Sequence, residues 1–334
     1  MISGIAERYN LVRWTPRGDG GLVESLFLKF HGPERGQAFW ARYTLRRPRR
    51  GCGEPVGGLW AVFSQAGAPP VAGCDIHPAR EVAFGDERFY LRIGTAELTM
   101  GRATGRVLSG PEPIEWDLTF EVGGPGLVHF PSEALYRTAF PRNKLASPHL
   151  LTRFFGTLRV GARAWRVSGA PGMQGHNWGP EVSAHWVWLH AARFDAEPDA
   201  VIEAVSSRLR VGPALAPPLT IVALRFRGRE VLWNRPLEWF RTRSRLSGLS
   251  WRFATRGRLC VEGEAQASPQ DAVALDYLSS DGKPVRCVNS NLARVRVVVR
   301  GLLDRPVELV SEDGATLELG GLAAPQDLPV RVTG

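Results

Sequence analysis

The stretch from Leu22 to Leu45, LVESLFLKFHGPERGQAFWARYTL, contains two apolar-rich runs on either side of a turn-prone segment. Glycine, proline and charged residues in HGPERG (31–36) favour a reversal of the chain. We therefore expect a strand at 22–30 to return as an antiparallel strand at 37–45. The hairpin indicates an antiparallel β-sheet in this part of the chain.

The register of this hairpin decides which side chains share a face. The expected pairing places Phe30 near Gln37 and Glu24 near Tyr43. Because side chains alternate across a strand, Glu24 lies on the same face as the apolar residues at every second position. The sequence thus predicts a carboxylate on an apolar face, beside a tyrosine hydroxyl.

Short apolar runs bounded by glycine, proline, aspartate or serine recur along the chain, as in LWAVFS, RFYLRIG, IEWDLTFEV, LTIVALRF and ARVRVVVRG. Few stretches show the 3.6-residue period of an amphipathic helix. The 37 glycines and 25 prolines punctuate these runs, which is typical of an all-β protein. A glycine- and proline-rich link near residue 170 predicts two β-barrels of similar length, at 1–170 and 171–334.

Length and composition are those of a folded globular protein, with 334 residues of which 44% are hydrophobic. No uninterrupted apolar run approaches about 18 residues and no signal-peptide pattern is present, so we expect a cytoplasmic protein. The four cysteines, at positions 52, 74, 260 and 287, form no CxxC pair. We expect them to be reduced thiols that hold no metal.

The formal net charge of +9 arises from 42 lysines and arginines, almost all of them arginine. They are spread along the chain, often at alternate positions, as expected for the solvated face of a strand. No RNA-recognition, zinc-finger or helix-turn-helix motif accompanies the charge, so we expect no nucleic-acid partner. Anionic small molecules and acidic lipid headgroups are the partners that a basic protein would attract.

A second stretch, GMQGHNWGPEVSAHWVWLHAARF at 172–194, brings together three histidines and three tryptophans. In an extended strand, Trp186, Trp188 and His190 fall on one face. If the following turn, DAEPD, returns the chain in register, Glu203 joins that face. This pattern predicts a surface of indole, imidazole and carboxylate groups.

The HNW tripeptide within this stretch alternates in the same way. His176 and Trp178 share one face, whereas Asn177 faces the other side, where its amide can anchor backbone groups. His185 and His190 are five residues apart and fall on opposite faces of their strand. That spacing does not favour a metal site.

Several blocks, taken in order, resemble the tocopherol cyclase / carotenoid 1,2-hydratase superfamily. They are VESLFLKF, AFWARYTLRRP, LWAVF, WDLTF, YRTAFPRNKLASP, GMQGHNWG, HWVWLH and YLSSDGKPVRCVNSNLARVRV, which span roughly residues 20 to 300. The resemblance implies two lipocalin-like antiparallel β-barrels packed together, with a hydrophobic pocket for long apolar molecules. It also implies chemistry at an isoprenoid double bond, to which members add water or an internal phenol oxygen, while related proteins promote cycloadditions.

The HNWG block resembles the Asn-Trp-Gly block of tocopherol cyclase, with His176 where a lysine would be expected. This difference argues against tocopherol as the specific substrate. Hydration or cyclisation of an alkene needs a proton donor, a lining that tolerates a carbocation, and control of water. Indole rings supply such a lining, so Trp178, Trp186 and Trp188 are the expected cation-facing residues.

Two sources of the proton are consistent with the sequence. Glu24 has apolar neighbours that favour its protonated form, and Tyr43 would hold or relay its proton. His176 and His190 are the alternative acid/base pair, because imidazole titrates near neutral pH.

We expect the candidate side chains to line one apolar cavity at the junction of the barrels, with His176 at its edge. The members of this cavity are Trp178, Trp186, Trp188, His190 and Glu24. If a buried arginine such as Arg42 or Arg193 lay beside Glu24, the carboxylate would instead be a structural ion-pair partner.

Two classes of function follow. The first is a cofactor-independent enzyme that protonates a double bond of an isoprenoid- or polyene-like substrate, or a cyclase that promotes a pericyclic cycloaddition. The second is a carrier of a hydrophobic metabolite, and the absence of GxSxG, GxxxxGK[ST], GxGxxG and HExxH motifs fits both. Basic segments at 137–149 and 46–51 predict a ligand with an anionic end. Peripheral contact with a membrane is a further expectation. The sequence leaves the oligomeric state open.

Overall fold

The computed structural model describes residues 3–32, 34–211, 214–325, 328 and 330–334. Within these residues the α-helices are short, namely α1 (Ser3–Asn10), α2 (Ala134–Arg137) and α3 (Pro236–Arg241). Single 3-10 turns occur at Ala79–Glu81 and Pro269–Asp271. No helix in the described ranges is both long enough and apolar enough to cross a bilayer.

The first sheet is antiparallel throughout and has the strand order β4-β3-β2-β1-β12-β11-β9-β8-β7-β6-β5, with β10 beside β11. Its strands are β1 (Leu22–His31), β2 (Gln37–Arg47), β3 (Val56–Gln65), β4 (Val71–Pro78), β5 (Val82–Phe84), β6 (Tyr90–Ile93), β7 (Ala96–Thr99), β8 (Arg102–Val107), β9 (Ile114–Phe120), β10 (Leu127–Val128), β11 (Lys144–Val160) and β12 (Arg163–Gly179). Alternate residues of these strands point into one apolar core, which includes Leu26, Leu28, Phe39, Trp116 and Phe154.

The first sheet curls until β4 meets the end of β8. The Asp75 carboxylate accepts hydrogen bonds from the backbone amides of Leu108 and Ser109, at 2.8 and 3.0 Å. The Ser109 hydroxyl donates to the Cys74 carbonyl at 2.6 Å. Gly73 permits this approach, because a Cβ at that position would lie 1.9 Å from the Ser109 carbonyl oxygen. These contacts nearly close the sheet into a barrel.

The second sheet has the order β18-β17-β14-β13-β24-β23-β21-β20-β19, with β22 paired to β23 and to β25. Its strands are β13 (His185–Ala191), β14 (Val201–Ser207), β17 (Leu219–Phe226), β18 (Arg229–Trp233), β19 (Arg243–Ser247), β20 (Ser250–Ala254), β21 (Cys260–Gln266), β22 (Ala272–Leu278), β23 (Pro284–Arg300), β24 (Val307–Gly321) and β25 (Val330–Thr333), while β15 (Arg210–Val211) and β16 (Ala214–Leu215) form a separate pair. It wraps around its own core, which includes Leu189, Val222, Trp251, Val295 and Leu317. The predicted all-β architecture of two packed, lipocalin-like barrels is confirmed.

The first hairpin forms as predicted, but its register is shifted by two residues. Glu24 pairs with Leu45 and not with Tyr43. The turn closes later than expected, with the Gly32 amide donating to the Gln37 carbonyl at 2.7 Å. Because the shift is even, every side chain of the hairpin keeps its predicted face.

The boundary between the two sheets lies later than the predicted residue 170. β12 runs from Arg163 to Gly179 within the first sheet, and the second sheet starts with β13 at His185. The glycine- and proline-rich segment is not a link: it is a bulge in the β11–β12 pair, where Gly169 adopts a φ of 69°. The change of sheet therefore occurs between residues 179 and 185.

The two barrels pack through the outer faces of their sheets. Trp40 and Trp60 of the first sheet join Tyr277 of the second in one apolar cluster. Phe27 and Trp188 meet edge to face, with ring centroids 5.6 Å apart. One face of β1 thus lines the interior of the first barrel, while its other face lies against the second barrel.

We predict that Gly73→Ala lowers the free energy of unfolding by at least about 2 kcal/mol, because the added methyl group must push β4 away from Ser109. Gly20→Ala is the matched control, since nothing lies within 4 Å of a Cβ at that position. Urea unfolding followed by tryptophan fluorescence measures both. Equal midpoints for the two variants would contradict this account of barrel closure.

Candidate functional site

The interior of the first barrel contains a buried carboxylate–imidazole pair. Glu24 on β1 and His176 on β12 have fully buried side chains, and the Glu24 Oε1 to His176 Nε2 distance is 2.8 Å. Both strands point these residues inward by the alternation that buries Leu26, which pairs with His176. Two of the predicted proton-transfer residues are therefore in direct contact.

Residues 9–14 cross the pair from the N-terminal side, and we name this segment the N-terminal cover. The Arg13 amide donates to both carboxylate oxygens of Glu24, at 2.9 and 3.0 Å. The Tyr9 carbonyl oxygen lies at hydrogen-bonding distance from His176 Nδ1. Backbone groups of the cover thus bind both members of the pair and separate them from solvent.

The hydrogen-bond partners determine how many protons the pair holds. The Tyr9 carbonyl can only accept a hydrogen bond, so His176 Nδ1 must carry a proton. The Nε2–Oε1 contact needs a second proton, either on the ring or on the Glu24 carboxyl group. The pair therefore holds two protons, one more than an ionised glutamate beside a neutral histidine would hold.

An indole ring lies over this pair. Trp178 is buried, and its ring centroid is 4.7 Å from that of His176. The Arg13 guanidinium carbon lies 3.9 Å from the centroid of the same indole. The face of Trp178 therefore already stabilises a cation next to the proton-holding pair.

The polar layer continues deeper into the barrel. Gln174 Nε2 donates to Asn10 Oδ1 at 2.7 Å, and His149 pairs with Gln174 across β11 and β12. Neither ring nitrogen of His149 has a hydrogen-bond partner among the described residues. Burial lowers the pKa of His149 to about 4, so its imidazole is neutral at physiological pH.

A groove of about 410 Å³ lies between α1 and the segment after β10. Its walls include Arg8 and Tyr9 on one side and Val128 and Phe130 on the other. Tyr9 and Val128 also pack against Trp178. The groove therefore ends at the side chains that cover the indole and the buried pair.

The other predicted aromatic and imidazole residues lie elsewhere, so the prediction of one shared cavity is wrong. Trp186, Trp188 and His190 occupy the outer face of the second sheet, between the two barrels, whereas Glu24 points into the first barrel. Trp188 contacts Phe27, which lies on the opposite face of β1 from Glu24. Period-2 alternation separates the two groups, because β1 presents Glu24 and Phe27 to different sides.

A buried ionic cluster fills the space between the barrels, and the sequence analysis identified only part of it. Glu203 shares a face with Trp188 and His190, as predicted. Its carboxylate accepts hydrogen bonds from Trp188 Nε1 at 2.8 Å and from the Ser147 hydroxyl at 2.7 Å, and His129 Nε2 lies 3.2 Å away. Burial alone would raise the pKa of Glu203, but the nearby His129 ring and the hydrogen bonds from Trp188 and Ser147 hold it below its usual value.

Lys29, like His129 and Ser147, is a member of this cluster that the sequence analysis did not identify. It is fully buried on the outer face of β1, and its Nζ donates to the His190 carbonyl at 3.1 Å. Burial holds its pKa well below the ordinary lysine value, although Glu203 opposes the shift. The period-2 alternation of the strand could have identified it, since Lys29 follows Phe27 by two residues and therefore shares its outward face.

Tyr43 and Asn177 do not contact the pair. The Tyr43 hydroxyl donates to the Thr104 carbonyl at 2.8 Å and accepts from Trp116 Nε1 at 3.0 Å, so the predicted relay from Glu24 through Tyr43 is wrong. The shifted hairpin register explains this separation. Asn177 is half-buried on the outer face of β12, opposite Ser25.

The arginines considered as structural partners of Glu24 are engaged elsewhere. Arg42 donates to the Ser25 hydroxyl at 2.7 Å, and Arg193 donates to the Gly32 carbonyl at 2.9 Å. The side-chain ion-pair partner of Glu24 is instead a titratable imidazole.

The basic segment at 137–149 has its charges largely matched by nearby groups. Arg137 lies 3.3 Å from Glu133, and Arg142 lies 3.0 Å from Glu181. Lys144 is buried and donates to backbone carbonyls, including that of Thr138 at 2.9 Å. A role for this segment in binding an anionic headgroup stays a prediction, and such a headgroup would compete with these carboxylates.

Comparisons with known proteins agree with the fold. A family model described as tocopherol cyclase-like matches residues 152–321, about half of the chain. An uncharacterized protein of Mycobacterium tuberculosis is 28% identical over 94% of this chain and 91% of its own length.

Solved structures of similar fold span nearly the whole chain. CghA superposes with a TM-score of 0.59 at 12% identity, covering 93% of this chain and 96% of CghA. Kievitone hydratase from Nectria haematococca superposes with a TM-score of 0.52 at 10% identity, covering 90% of this chain and 88% of the hydratase. At such identities the likeness shows the fold alone.

We predict that stability falls as the pH drops from 6.5 to 4, in part because of His149. The unfolded state binds a proton at this ring below about pH 6.5, whereas the folded state keeps it neutral down to about pH 4. By linkage this contributes on the order of 3 kcal/mol. His149→Leu should flatten the pH dependence of urea unfolding between pH 7 and 4.5. Phe120→Leu, which alters a ring packed on His149, should leave the slope unchanged, and an equal slope in all three proteins would refute the assignment.

Proposed function

Because this chain belongs to the tocopherol cyclase-like family, we propose that it is a cofactor-independent enzyme that protonates a carbon–carbon double bond of a hydrophobic isoprenoid- or polyene-like substrate. Capture of the resulting cation by water or by a nucleophile of the substrate would complete a hydration or a cyclisation. The observation that carries the proposal is the fully buried Glu24–His176 pair, which is joined by a hydrogen bond and lies beneath an indole inside the first barrel.

Among the described residues, the side-chain carboxylates of Glu24 and Glu203 are buried, and they differ in their suitability as acids. Glu203 faces fixed donors on Trp188 and Ser147, which stabilise its ionised form. Glu24 also accepts from a fixed donor, the Arg13 amide, and Glu203 also lies near an imidazole, that of His129. The difference is that the Arg13 amide belongs to the N-terminal cover, so a shift of the cover would leave Glu24 with His176, which can share its proton. An acid catalyst needs a group that can give up a proton and recover it, so Glu24 with His176 fits the role better.

The proposed reaction conserves protons. The pair transfers one proton to an alkene carbon, and the neighbouring carbon becomes cationic. Water or a substrate hydroxyl then forms a C–O bond to that carbon, and the proton released from the oxygen returns to Glu24 or His176. The pair ends in its initial state, so no external acid or cofactor is consumed.

The surroundings of the pair would help the cation to form. The Trp178 face now occupied by the Arg13 guanidinium would stabilise a substrate cation in the same position. Such a contact strengthens when water is excluded, to roughly 2 kcal/mol or more. A substrate cation would replace the guanidinium when the N-terminal cover shifts, and the shift also removes the Tyr9 carbonyl that holds the His176 proton.

The groove beside α1 is the proposed route for the substrate. Tyr9, Val128 and Phe130 give it an apolar wall, and it ends at the cover of Trp178. A long hydrophobic chain would lie in this groove with its reactive double bond inserted past Tyr9. A carrier would need only the apolar wall, so the buried pair is what favours an enzyme over a carrier.

We predict that the wild-type protein, incubated in heavy water with prenylated quinols, carotenoids or linear polyenes, yields a product that contains deuterium bound to carbon. Glu24→Gln should bind the same substrate but lose at least about a hundredfold in rate, because the amide cannot hold the proton. Glu115→Gln, a partly exposed carboxylate on β9 that pairs with Arg106, is the control and should retain the wild-type rate. Mass spectrometry of the products provides the measurement.

Two outcomes would overturn the proposal. If a substrate binds tightly and the wild type transfers no deuterium to it, the protein is a carrier. If Glu24→Gln turns over at the wild-type rate, another group is the acid.

A further inference from the structure

The helix α3 exposes two large apolar side chains on the molecular surface. Leu237 is 67% exposed and Phe240 is 63% exposed, and they lie three residues apart on one side of the helix. Between them Trp239 is buried and fixes α3 to the second barrel. With Trp239 buried, the two apolar side chains lie on the outward side of α3.

Four arginines surround this pair in the sequence RPLEWFRTRSR, at positions 235, 241, 243 and 245. All four are exposed, and among the described residues none of their guanidinium groups lies within ion-pair distance of a carboxylate. The carboxylate of Glu238, within the same segment, accepts a hydrogen bond from the Arg235 amide and so caps the helix. This surface therefore presents unpaired positive charge around two exposed apolar groups.

Several arginines on the strands of the second barrel are arranged differently. On β20, β23 and their neighbours, arginines at alternate positions pair with carboxylates across the sheet, as in Arg252–Glu264, Arg294–Glu312 and Arg296–Glu308. A solvated strand face accounts for those pairs. Arg235 and Arg241 lie at the two ends of α3 and not on a strand. Arg243 and Arg245 lie on the exposed face of β19, but their cross-strand neighbours are Ala254 and Arg252 and not carboxylates.

We propose that α3 and its arginines dock on the surface of an anionic lipid bilayer, with Leu237 and Phe240 inserted among the lipid chains. Apolar side chains flanked by arginine bind such surfaces because burial of apolar area and attraction to acidic headgroups act together. The chemistry that recognises this surface is a negatively charged headgroup layer over hydrocarbon. The inference goes beyond the proposed function and does not depend on it.

The position of α3 relative to the groove supports this docking mode. Asn234, two residues before the helix, donates from Nδ2 to the His129 carbonyl at 2.9 Å. Val128 and Phe130, on either side of His129, line the groove beside α1. A bilayer in contact with α3 would therefore lie next to the groove, where a hydrophobic molecule can leave the lipid and enter the first barrel.

Vesicle co-sedimentation tests the proposal. The full-length protein should bind vesicles of equal parts phosphatidylglycerol and phosphatidylcholine, with binding that weakens as salt increases, and should bind pure phosphatidylcholine vesicles poorly. Leu237→Ser combined with Phe240→Ser should reduce the partition coefficient by about tenfold or more. Leu108→Ser combined with Leu322→Ser, which removes two exposed apolar side chains elsewhere, should leave it unchanged.

A second double variant tests the contribution of the arginines beside α3. Arg241→Gln combined with Arg243→Gln should weaken binding to the anionic vesicles and reduce its dependence on salt, while circular dichroism confirms an unchanged fold.

Equal binding by the wild type and the Leu237/Phe240 variant would overturn the proposal. It would also be overturned if that variant abolished a dimer detected by sedimentation velocity while no protein bound vesicles, since α3 would then join two copies of the chain.

The test separates this inference from the catalytic proposal. Vesicle binding is measured without substrate, and Glu24→Gln should bind vesicles as the wild type does because Glu24 is buried in the first barrel. A variant that loses turnover but still binds vesicles has lost only the function of the Glu24–His176 pair. A variant that no longer binds vesicles but still turns over a detergent-dispersed substrate has lost only the function of α3.

Discussion

The hydrogen bond between Glu24 and His176 joins parts of the chain that are far apart in sequence, β1, β12 and the N-terminal cover. Burying a charged group is costly unless partners compensate it. Here the partners are the two side chains themselves and the backbone groups of Tyr9 and Arg13. The cover cannot leave without depriving both side chains of a partner, so access to the barrel and the proton content of the pair are coupled.

The two faces of β1 carry different chemistry because alternation sends neighbouring residues in opposite directions. Glu24 on the inner face meets a titratable partner, whereas Lys29 on the outer face joins the ionic cluster between the barrels. In that cluster Glu203 is held in its ionised form by fixed donors. The outer cluster thus fixes the relative position of the barrels, and the inner pair is left to exchange a proton.

Sequence pattern was sufficient wherever the outcome depended on the period-2 alternation of a strand. The inner face of β1 and the face shared by His190 and Glu203 were correctly predicted, since an even register error leaves faces unchanged. The sequence pattern could not show which barrel each apolar face would meet. The prediction therefore placed Glu24 and Trp188 in one cavity. Nor could it identify the cover, because its contacts use the Tyr9 carbonyl and the Arg13 amide, groups that every non-proline residue possesses.

The central claim is that the Glu24–His176 pair holds two protons inside the barrel. Nitrogen-15 NMR of histidine-labelled protein tests it most directly, with His176→Gln used to assign the signal. We expect His176 Nδ1 to carry a slowly exchanging proton at pH 7 and Nε2 to be either protonated or strongly hydrogen-bonded to a protonated Glu24, with the shift of Nε2 altered by Glu24→Gln. A neutral His176 whose Nδ1 lacks a proton, beside an ionised Glu24, would contradict the account.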